Sequence, residues 1–429
     1  MTTRAVPPPL QIREHRLANG LRLFLIVDQT APVAAVNIWY HVGSKDERTG
    51  RTGFAHLFEH LMFQGSENVS KAEHLTLVES IGGEGNATTW LDRTNYFATV
   101  PAEWVELILW MEADRLATLL TALDQANLDN QRDVVKNEKR SSYDNQPYGG
   151  AYIELFALAY PQGHPYHHPT IGSMEDLDAA SLEDVREFFR TWYAPNNAVL
   201  TVVGDIDGDE IIAAVERHFG TIPANQVLPA HPDLTLATPL GGEIRKTIYD
   251  KVPEARVHFA FRAPVLSSPL IPAIEIAMQI LAGGKGSRLY RRLVRDEQVA
   301  QDISLSLLPF VGGASLIVGA ATVRPGSANA VVEAAFLQEL ERLAADGPTP
   351  AELERAQALT ESEELLVRSD PEELADAVGM YATLLNDPGR INRDLALALA
   401  VTADQVQTAA RLFVKENRIV LWYLPEVGT

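Results

Sequence analysis

The segment Gly53-Phe-Ala-His56-Leu-Phe-Glu59-His60-Leu-Met-Phe63 combines an apolar helical spacing with two imidazoles four residues apart and a carboxylate between them. On a helix, positions i and i+4 lie on one face, so His56 and His60 can both direct a ring nitrogen towards the same ion. Glu59 lies beside them. These residue types at this spacing predict the core of a zinc hydrolase site, with the carboxylate as general base.

The alternative for this segment is a buried amphipathic helix without chemistry. Leu57, Phe58 and Leu61 would then form its apolar face, and the two histidines would be polar neighbours with ordinary partners. Polar groups inside so apolar a helix need partners, and a metal ion supplies one.

Two histidines leave zinc one ligand short, because catalytic zinc usually takes three protein ligands and keeps the fourth position for water. The best candidate is Glu138, in a helical stretch (residues 130–140) where Val134 and Val135 are expected to pack inward and Glu138 shares their face. A surface glutamate paired with a neighbouring lysine or arginine explains the same spacing.

The order His-x-x-Glu-His resembles the pitrilysin-type inverzincin peptidases, most closely the short-chain branch that includes the catalytic subunit of the mitochondrial processing peptidase. The resemblance implies that His56, His60 and Glu138 bind one Zn²⁺ per chain and that Glu59 is the base. Many family members carry a further glutamate seven residues before the third ligand. That position is Gln131 here, so a charge beside the ligands is absent, and we expect the zinc affinity or the activation of the bound water to differ from that of the family.

A second matching segment is Gly82-Gly-Glu-Gly-Asn86-Ala87-Thr88-Thr-Trp90. Its small and β-branched residues predict a strand whose glycines allow another backbone to approach closely. In the family this edge strand lies beside the zinc and binds the substrate by β-augmentation, so the resemblance implies Asn86, Ala87 and Thr88 as substrate-binding residues. An ordinary interior strand explains the alternation without the family.

The composition narrows the classes of partner. With 57 acidic and 36 basic residues and a net charge of −21, nucleic acid and anionic membranes are unfavourable partners, whereas a cationic peptide would be attracted. The chain has 0 cysteines, which excludes disulfides, cysteine-ligated zinc and a thiol nucleophile. The family resemblance implies short or unfolded peptides as substrates.

No targeting segment is visible in the sequence. Residues 1–10 lack an apolar core of signal-peptide length, and Arg22 interrupts the next apolar run. No stretch approaches the roughly 18 apolar residues of a membrane span. We therefore expect a cytoplasmic protein, or a periplasmic one if a signal peptide has been removed.

The chain repeats one plan of elements. A capped helix and a strand near the middle return near the end, and two strands open each half. The corresponding pairs of segments are 181–193 with 402–413, 198–203 with 418–423, 21–27 with 244–249, and 33–40 with 255–261.

A proline-rich segment at residues 223–233 separates the two halves and predicts an extended linker. We expect an α+β protein of two related domains, each an antiparallel or mixed sheet packed with helices, as in the processing-peptidase-like metallohydrolase fold. The predicted boundaries are 1–222 for the zinc-binding catalytic domain, 223–243 for the linker and 244–429 for a second domain without the metal motif. That second domain is expected to be structural or to position the substrate.

The second half departs from the family pattern. Family members complete the site there with an arginine and, seven residues later, a tyrosine; aligning Arg295 with that arginine places Asp302 at the tyrosine position. An ionised aspartate would repel a developing oxyanion that a tyrosine could stabilise. We therefore expect a zinc endopeptidase that acts as the catalytic subunit of a heterodimer or heterotetramer, with a related zinc-less subunit supplying the pair.

Three alternatives to this function stay open. The chain could be a homodimeric peptidase, a scaffold or core subunit with little proteolytic activity, or a hydrolase of small amides. The intact motif disfavours the scaffold, and the predicted edge strand disfavours a small substrate. A second histidine cluster, formed by His164, His167 and His168, is flanked by prolines and glycine, which predict a loop and not a metal centre. The family resemblance implies that this loop packs near the site.

Overall fold

The computed structural model describes residues 7–426, so part of the segment used for the signal-peptide prediction, residues 1–6, lies outside the described residues. The described chain forms two compact units. The first contains the residues up to Lys139 together with His168–Pro232 and Leu365–Arg393. The second contains Arg140–His167, Asp233–Glu364 and the residues from Asp394 onward.

The first unit is built on a six-stranded mixed sheet with the order β1-β2-β6-β3-β5-β4. Its strands are β1 Arg13–Arg16, β2 Arg22–Val27, β3 Val33–Tyr40, β4 Glu84–Thr89, β5 Thr94–Pro101 and β6 Ala198–Gly204. Every residue of β6 is buried, as expected for an apolar strand in the middle of a sheet. β2 and β6 are parallel, and the other pairs are antiparallel.

The second unit is built on a five-stranded sheet with the order β7-β11-β8-β10-β9. Its strands are β7 Ile244–Asp250, β8 Arg256–Ala263, β9 Ala300–Leu308, β10 Ser315–Val323 and β11 Ile419–Pro425. β7 and β11 are parallel, and the other pairs are antiparallel. The order β7-β11-β8-β10-β9 reproduces β2-β6-β3-β5-β4 strand for strand, so the sequence repeat is a repeat of the fold and the predicted α+β class is confirmed.

Helices cover both sheets. Those before the middle of the chain are α1 Phe54–Leu61, α2 Glu73–Ser80, α3 Val105–Ala122, α4 Gln125–Lys139, α5 Ala151–Ala159, α6 Met174–Asp178, α7 Leu182–Trp192 and α8 Gly208–Phe219. Those after it are α9 Ile271–Ala282, α10 Asn329–Asp346, α11 Pro350–Ser369, α12 Pro371–Leu384, α13 Ile391–Leu399 and α14 Ala403–Ala410. In the described part of the chain, no helix has the length and apolar character needed to cross a membrane.

Each unit includes one helix from the other half of the sequence. α12 packs on β3 and β6 of the first sheet, and α5 packs on the corresponding strands β8 and β11 of the second. The α12 contact is close, because a Cβ on Gly379 would lie 2.7 Å from the ring of Trp39. Leu374, Ala375 and Val378 of α12 are buried in the same apolar cluster as Trp39. The first unit therefore takes part of its core from the second half of the chain.

The predicted linker contains neither helix nor strand between α8 and β7. Residues 223–232 of this segment belong to the first unit and residues 233–243 to the second. The domain boundaries 1–222 and 244–429 stay a prediction, because the two units also take up segments from beyond them.

Candidate active site

The histidine motif lies on a helix, as predicted. α1 begins after Gly53, which has φ 86°, a left-handed conformation that glycine adopts at little cost. The apolar residues of the helix are buried, namely Phe54, Ala55, Leu57, Phe58 and Leu61. His56, Glu59 and His60 are only partly buried and lie on the remaining face, where their side chains reach other elements.

Glu138 on α4 completes a convergent group with the two histidines. Its Oε2 lies 3.7 Å from Nε2 of His56 and 3.5 Å from Nε2 of His60. Among the residues that the structure describes, these three form the group suited to a metal, with ligand atoms all within 4.8 Å of one another. Zinc bonds of about 2.0–2.2 Å in tetrahedral geometry separate ligand atoms by roughly 3.3–3.6 Å, so the two distances to Glu138 are close to those of a zinc site.

The electrostatics of the three residues favour a cation between them. Burial lowers the pKa of His56 to about 4, helped by the charge of His60, so the ring is neutral near pH 7. Burial opposes the charged form of His60, but hydrogen bonding to Glu138 and the charge of Glu59 outweigh it and raise the pKa of His60. The hydrogen bond with His60 in turn lowers the pKa of Glu138. Zinc binds a neutral imidazole and an ionised carboxylate, so the pKa shifts of His56 and Glu138 favour the forms that bind zinc. The raised pKa of His60 shows that the neighbouring carboxylates favour a positive charge at this place, and His60 must release its proton when a metal binds.

Glu59 is held by a residue that sequence reasoning missed. The hydroxyl of Thr89, the last residue of β4, donates a short hydrogen bond to Oε2 of Glu59. Burial raises the pKa of Glu59, and this hydrogen bond and the charges of His60 and Arg93 oppose the rise. A carboxylate with a raised pKa is better matched to accepting a proton near neutral pH than an exposed one.

The three predicted substrate-binding residues all lie on β4, the last strand of its sheet. Ala87 is buried, and the side chain of Asn86 accepts a hydrogen bond from the amide of Ala87 at 2.9 Å. Thr88 is hydrogen-bonded to two residues of the same unit. Its hydroxyl donates to Asn95 at 2.5 Å, and its carbonyl accepts from Arg93 at 2.9 Å. The side chain and the carbonyl of Thr88 are therefore both engaged within the protein.

A buried polar network supports β4 from the far side of the sheet. Asp376 of α12 accepts hydrogen bonds at 3.0–3.1 Å from three side chains of β3 and β5, namely Asn37, Trp39 and Asn95. Burial lowers the pKa of the nearby Arg93 to about 10, and the charges of Asp376 and Glu59 oppose this. Arg93 stays charged at pH 7. The strand beside Glu59 thus depends on a helix from the second half of the chain.

Gln131 lies on α4 and is buried with 7% of its surface exposed. Its side chain hydrogen-bonds towards His60, which contributes to the raised pKa of that histidine. It also donates to Asn130 at 3.1 Å. The position predicted to lie just outside the ligand set therefore does face a candidate ligand, with an amide in place of a carboxylate.

The residues at the family's arginine and tyrosine positions are engaged locally in the second unit. Arg295 pairs with Asp296 at 2.7 Å, and both side chains are 54% exposed. Asp302 lies on β9, where it accepts from Thr322 at 3.0 Å and pairs with Arg256 at 3.3 Å.

The second histidine cluster lies in the connection between α5 and α6, which contains neither helix nor strand. His164 contacts the carbonyl of Leu234 at 3.3 Å, and His167 contacts that of Tyr160 at 2.8 Å. His168 lies 3.7 Å from the carboxylate of Glu47. Within residues 7–426, these histidines do not form a group of potential metal ligands.

Comparison with known proteins agrees with the geometry. Residues 22–161 match the family described as insulinase (peptidase family M16), and residues 179–360 match the peptidase M16 inactive domain. Among curated proteins, the zinc protease PqqE of Helicobacter pylori is 28% identical over 372 residues, which are 86% of this chain and 82% of that protein. Subunit 1 of the human mitochondrial cytochrome b-c1 complex is 28% identical over 265 residues, 62% of this chain and 54% of that protein.

A solved structure shows the same fold. The crystal structure of a protease from Helicobacter pylori aligns with a TM-score of 0.91 at 24% identity and covers 97% of this chain and 100% of its own. The two family matches follow one another along the chain and agree with the duplicated fold. The chain belongs to peptidase family M16, and its curated relatives include proteins named zinc protease.

Proposed function

We propose that this protein is a zinc-dependent endopeptidase with its metal site in the first unit. The observation that carries the proposal is the convergence of His56 Nε2, His60 Nε2 and Glu138 Oε2 beside the partly buried carboxylate of Glu59. Zinc bound there would supply a Lewis acid that polarises a peptide carbonyl and lowers the pKa of water towards about 7.

The protein side chains would move the proton and hold the reacting groups in place. Glu59 accepts a proton from the attacking water and returns it to the leaving amine, which is the work of a general base followed by a general acid. Thr89 fixes one carboxylate oxygen of Glu59, so the other oxygen remains for the proton transfer. The support of β4 by Arg93 and Asp376 keeps Thr89 in position.

The substrate would be a peptide in extended conformation. A peptide can add to the outer edge of β4 through main-chain hydrogen bonds at Asn86, Ala87 and Thr88, a mode that makes few demands on sequence. The net charge of −21 favours cationic peptides by long-range attraction. A small amide would not use such an edge.

We further propose that the active species contains a second, related chain. Support comes from Asp302, which stands at the position of the family's tyrosine and is paired with Arg256 in this chain. A partner without the metal motif would supply the arginine and tyrosine, in a heterodimer or heterotetramer. A homodimer is the second candidate. A scaffold role is the third, since one relative is named as a subunit of the cytochrome b-c1 complex. The expected cytoplasmic location stays a prediction.

The test is zinc content and cleavage of a basic peptide library by the purified chain, alone and together with its co-expressed homologue. We expect zinc in both samples and full activity only with the homologue. Full activity of the isolated chain would overturn the two-chain proposal. Zinc without cleavage in either sample would favour the scaffold role, and absence of zinc would overturn the peptidase.

A further inference from the structure

The metal-bearing helix begins without a cap of its own. The first amide groups of any helix lack partners inside the helix and need an acceptor from elsewhere. The residue before α1 is Gly53, which has no side chain to offer. α1 has 8 residues, about two turns, so a change in the direction of its first turn displaces both His56 and His60.

The missing acceptor is the carboxylate of Glu47. One carboxylate oxygen accepts from the amide of Gly53 at 3.0 Å and the other from the amide of Ala55 at 2.8 Å. A carboxylate at this end of a helix is also stabilised by the helix dipole. The second of these hydrogen bonds holds Ala55, the residue directly before His56.

The side chain of Glu47 is buried, with 0% of it exposed. Burial raises its pKa, and the hydrogen bonds from the amides of α1 oppose the rise. Burying a carboxylate is costly unless it is hydrogen-bonded, so its position is fixed by the donors that it meets, and the amides of Gly53 and Ala55 are two of these. His168 of the second histidine cluster lies 3.7 Å from the same carboxylate.

A second carboxylate fixes the turn that enters the helix. Asp176 accepts from the amide of Thr52 at 2.9 Å and from its hydroxyl at 2.6 Å. Gly53 is packed tightly as well, since a Cβ there would lie 2.8 Å from the carbonyl oxygen of Ile171. The turn is therefore held as far as Gly53, and the bond from Glu47 to the amide of Ala55 extends this hold into the first turn of α1.

We propose that Glu47 is a positioning residue for the metal site: it sets the direction of α1 and thereby presents His56 and His60 to Glu138. This inference rests on the proposed zinc site. It adds a residue that touches neither metal nor substrate but determines how tightly the metal is held. Groups that orient metal ligands typically change metal affinity about 10–100-fold when they are removed.

The chain offers a matched control. α8 lies in the same unit and is capped by Asp207, whose carboxylate accepts from the amides of Asp209 at 2.9 Å and Glu210 at 3.1 Å. α8 carries none of the proposed site residues. Asp207→Ala therefore removes the same kind of cap without touching the helix that bears the histidines.

The experiment measures the zinc Kd by competition with a chromophoric chelator, the absorption spectrum of the cobalt(II)-substituted protein, and the Tm of the metal-free protein. We expect Glu47→Ala to raise the zinc Kd about 10–100-fold and to alter the cobalt spectrum, with a smaller effect for Glu47→Gln, which keeps one acceptor oxygen. Asp207→Ala should lower the Tm and leave the Kd and the spectrum unchanged.

Unchanged zinc Kd and cobalt spectrum in folded Glu47→Ala would overturn the inference and leave the proposed function standing. If Glu47→Ala does not fold, Glu47→Gln decides in the same way. A Kd raised equally by Asp207→Ala would also overturn the inference, because the effect would then reflect general stability. A wild-type chain that binds no zinc would overturn this inference and the proposed function together.

Discussion

The two units place the same elements around different chemistry. α9 follows β8 as α1 follows β3, and α11 follows α10 as α4 follows α3. Where the first unit has His56 and His60 facing Glu138, the second has Gln279 facing Glu363. The amide of Gln279 donates to the two oxygens of Glu363 at 3.0 and 2.8 Å.

The pocket around this pair in the second unit has a volume of about 410 Å³ and is also lined by Glu275, which stands four residues before Gln279. Glu275 and Gln279 thus have the i, i+4 spacing of the histidine motif, but they carry a carboxylate and an amide in place of two imidazoles. Zinc prefers nitrogen and sulfur ligands, and a direct hydrogen bond joins the two helices where the first unit has three converging ligand atoms. The two units therefore share the arrangement of helices, and the residue types on those helices determine whether a metal can bind.

Removal of the general base should give the largest effect. Glu59→Gln keeps the size of the side chain and its contact with Thr89 but cannot accept the proton. We expect turnover to fall about 10²–10⁴-fold with zinc content unchanged. Peptide cleavage assays on metal-replete samples check this, and Glu363→Gln in the second unit is the control. Normal cleavage by Glu59→Gln would contradict the mechanism.

Removal of a proposed metal ligand should give the next largest effect, and only in the first unit. We expect His60→Ala to weaken zinc binding more than about a hundredfold, since a metal ligand matters more than the groups that orient it. Gln279→Ala, at the corresponding place in the second unit, should leave the zinc affinity unchanged. Chelator competition on both purified variants measures this. Equal losses from the two substitutions would show that the units do not differ in the way described.

The helices α12 and α5, each of which packs on the sheet formed by the other half of the sequence, should contribute equally to the stability of their units. Leu374 of α12 and Leu155 of α5 are both 1% exposed. Each substitution by alanine should lower the free energy of unfolding by about 2–5 kcal/mol, as large-to-small changes in a core do. Urea unfolding of the two variants provides the measurement. A loss below about 1 kcal/mol for Leu374→Ala would mean that α12 is not an integral part of the first unit.

The smallest effect concerns acid stability of the second unit. Glu352 pairs with Arg288 at 2.7 Å, and this bond is the main cause that lowers the pKa of Glu352 to about 2. A depressed carboxyl pKa adds stability that is present above the unfolded-state value of about 4.3 and is lost as the pH falls towards about 2.

Glu352→Gln should therefore lower stability at pH 7 by at most about 3 kcal/mol, because each pKa unit corresponds to about 1.4 kcal/mol and the pair is partly exposed. The difference from wild type should shrink between pH 4 and pH 2. Thermal unfolding as a function of pH tests this. A difference that is constant over the range would show that the charge of Glu352 is not its cause.

Sequence patterns predicted the features that depend on residues close together in the chain. The i, i+4 spacing placed His56 and His60 on one helix face, and small β-branched residues predicted the strand that became β4. The duplicated plan was visible because each half buries the same sequence of elements. Glu138 could be identified only from the family's spacing, since an exposed ion pair would give the same local pattern. The expected inward packing of Val134 is wrong, because Val134 is 41% exposed, whereas Val135 is buried.

The sequence did not reveal contacts between distant segments. Asp376 meets Asn95 across 281 positions of the chain, and no periodicity indicates that α12 packs on the first sheet. Thr89 was adjacent to the predicted substrate residues, but only the fold brings its hydroxyl to Glu59. Glu47 precedes the motif by a few residues, and the signal that could have revealed it was the absence of a capping side chain at Gly53.

We expect one unit of this duplicated fold to bind a metal and the other to bind none. The most direct test is the zinc stoichiometry of the purified wild-type chain, measured by mass spectrometry of the metal after equilibration with zinc and removal of the loosely bound excess. We expect one zinc per chain, lost in His60→Ala and retained in Gln279→Ala. A stoichiometry of zero or two, or zinc retained at full affinity in His60→Ala, would contradict it.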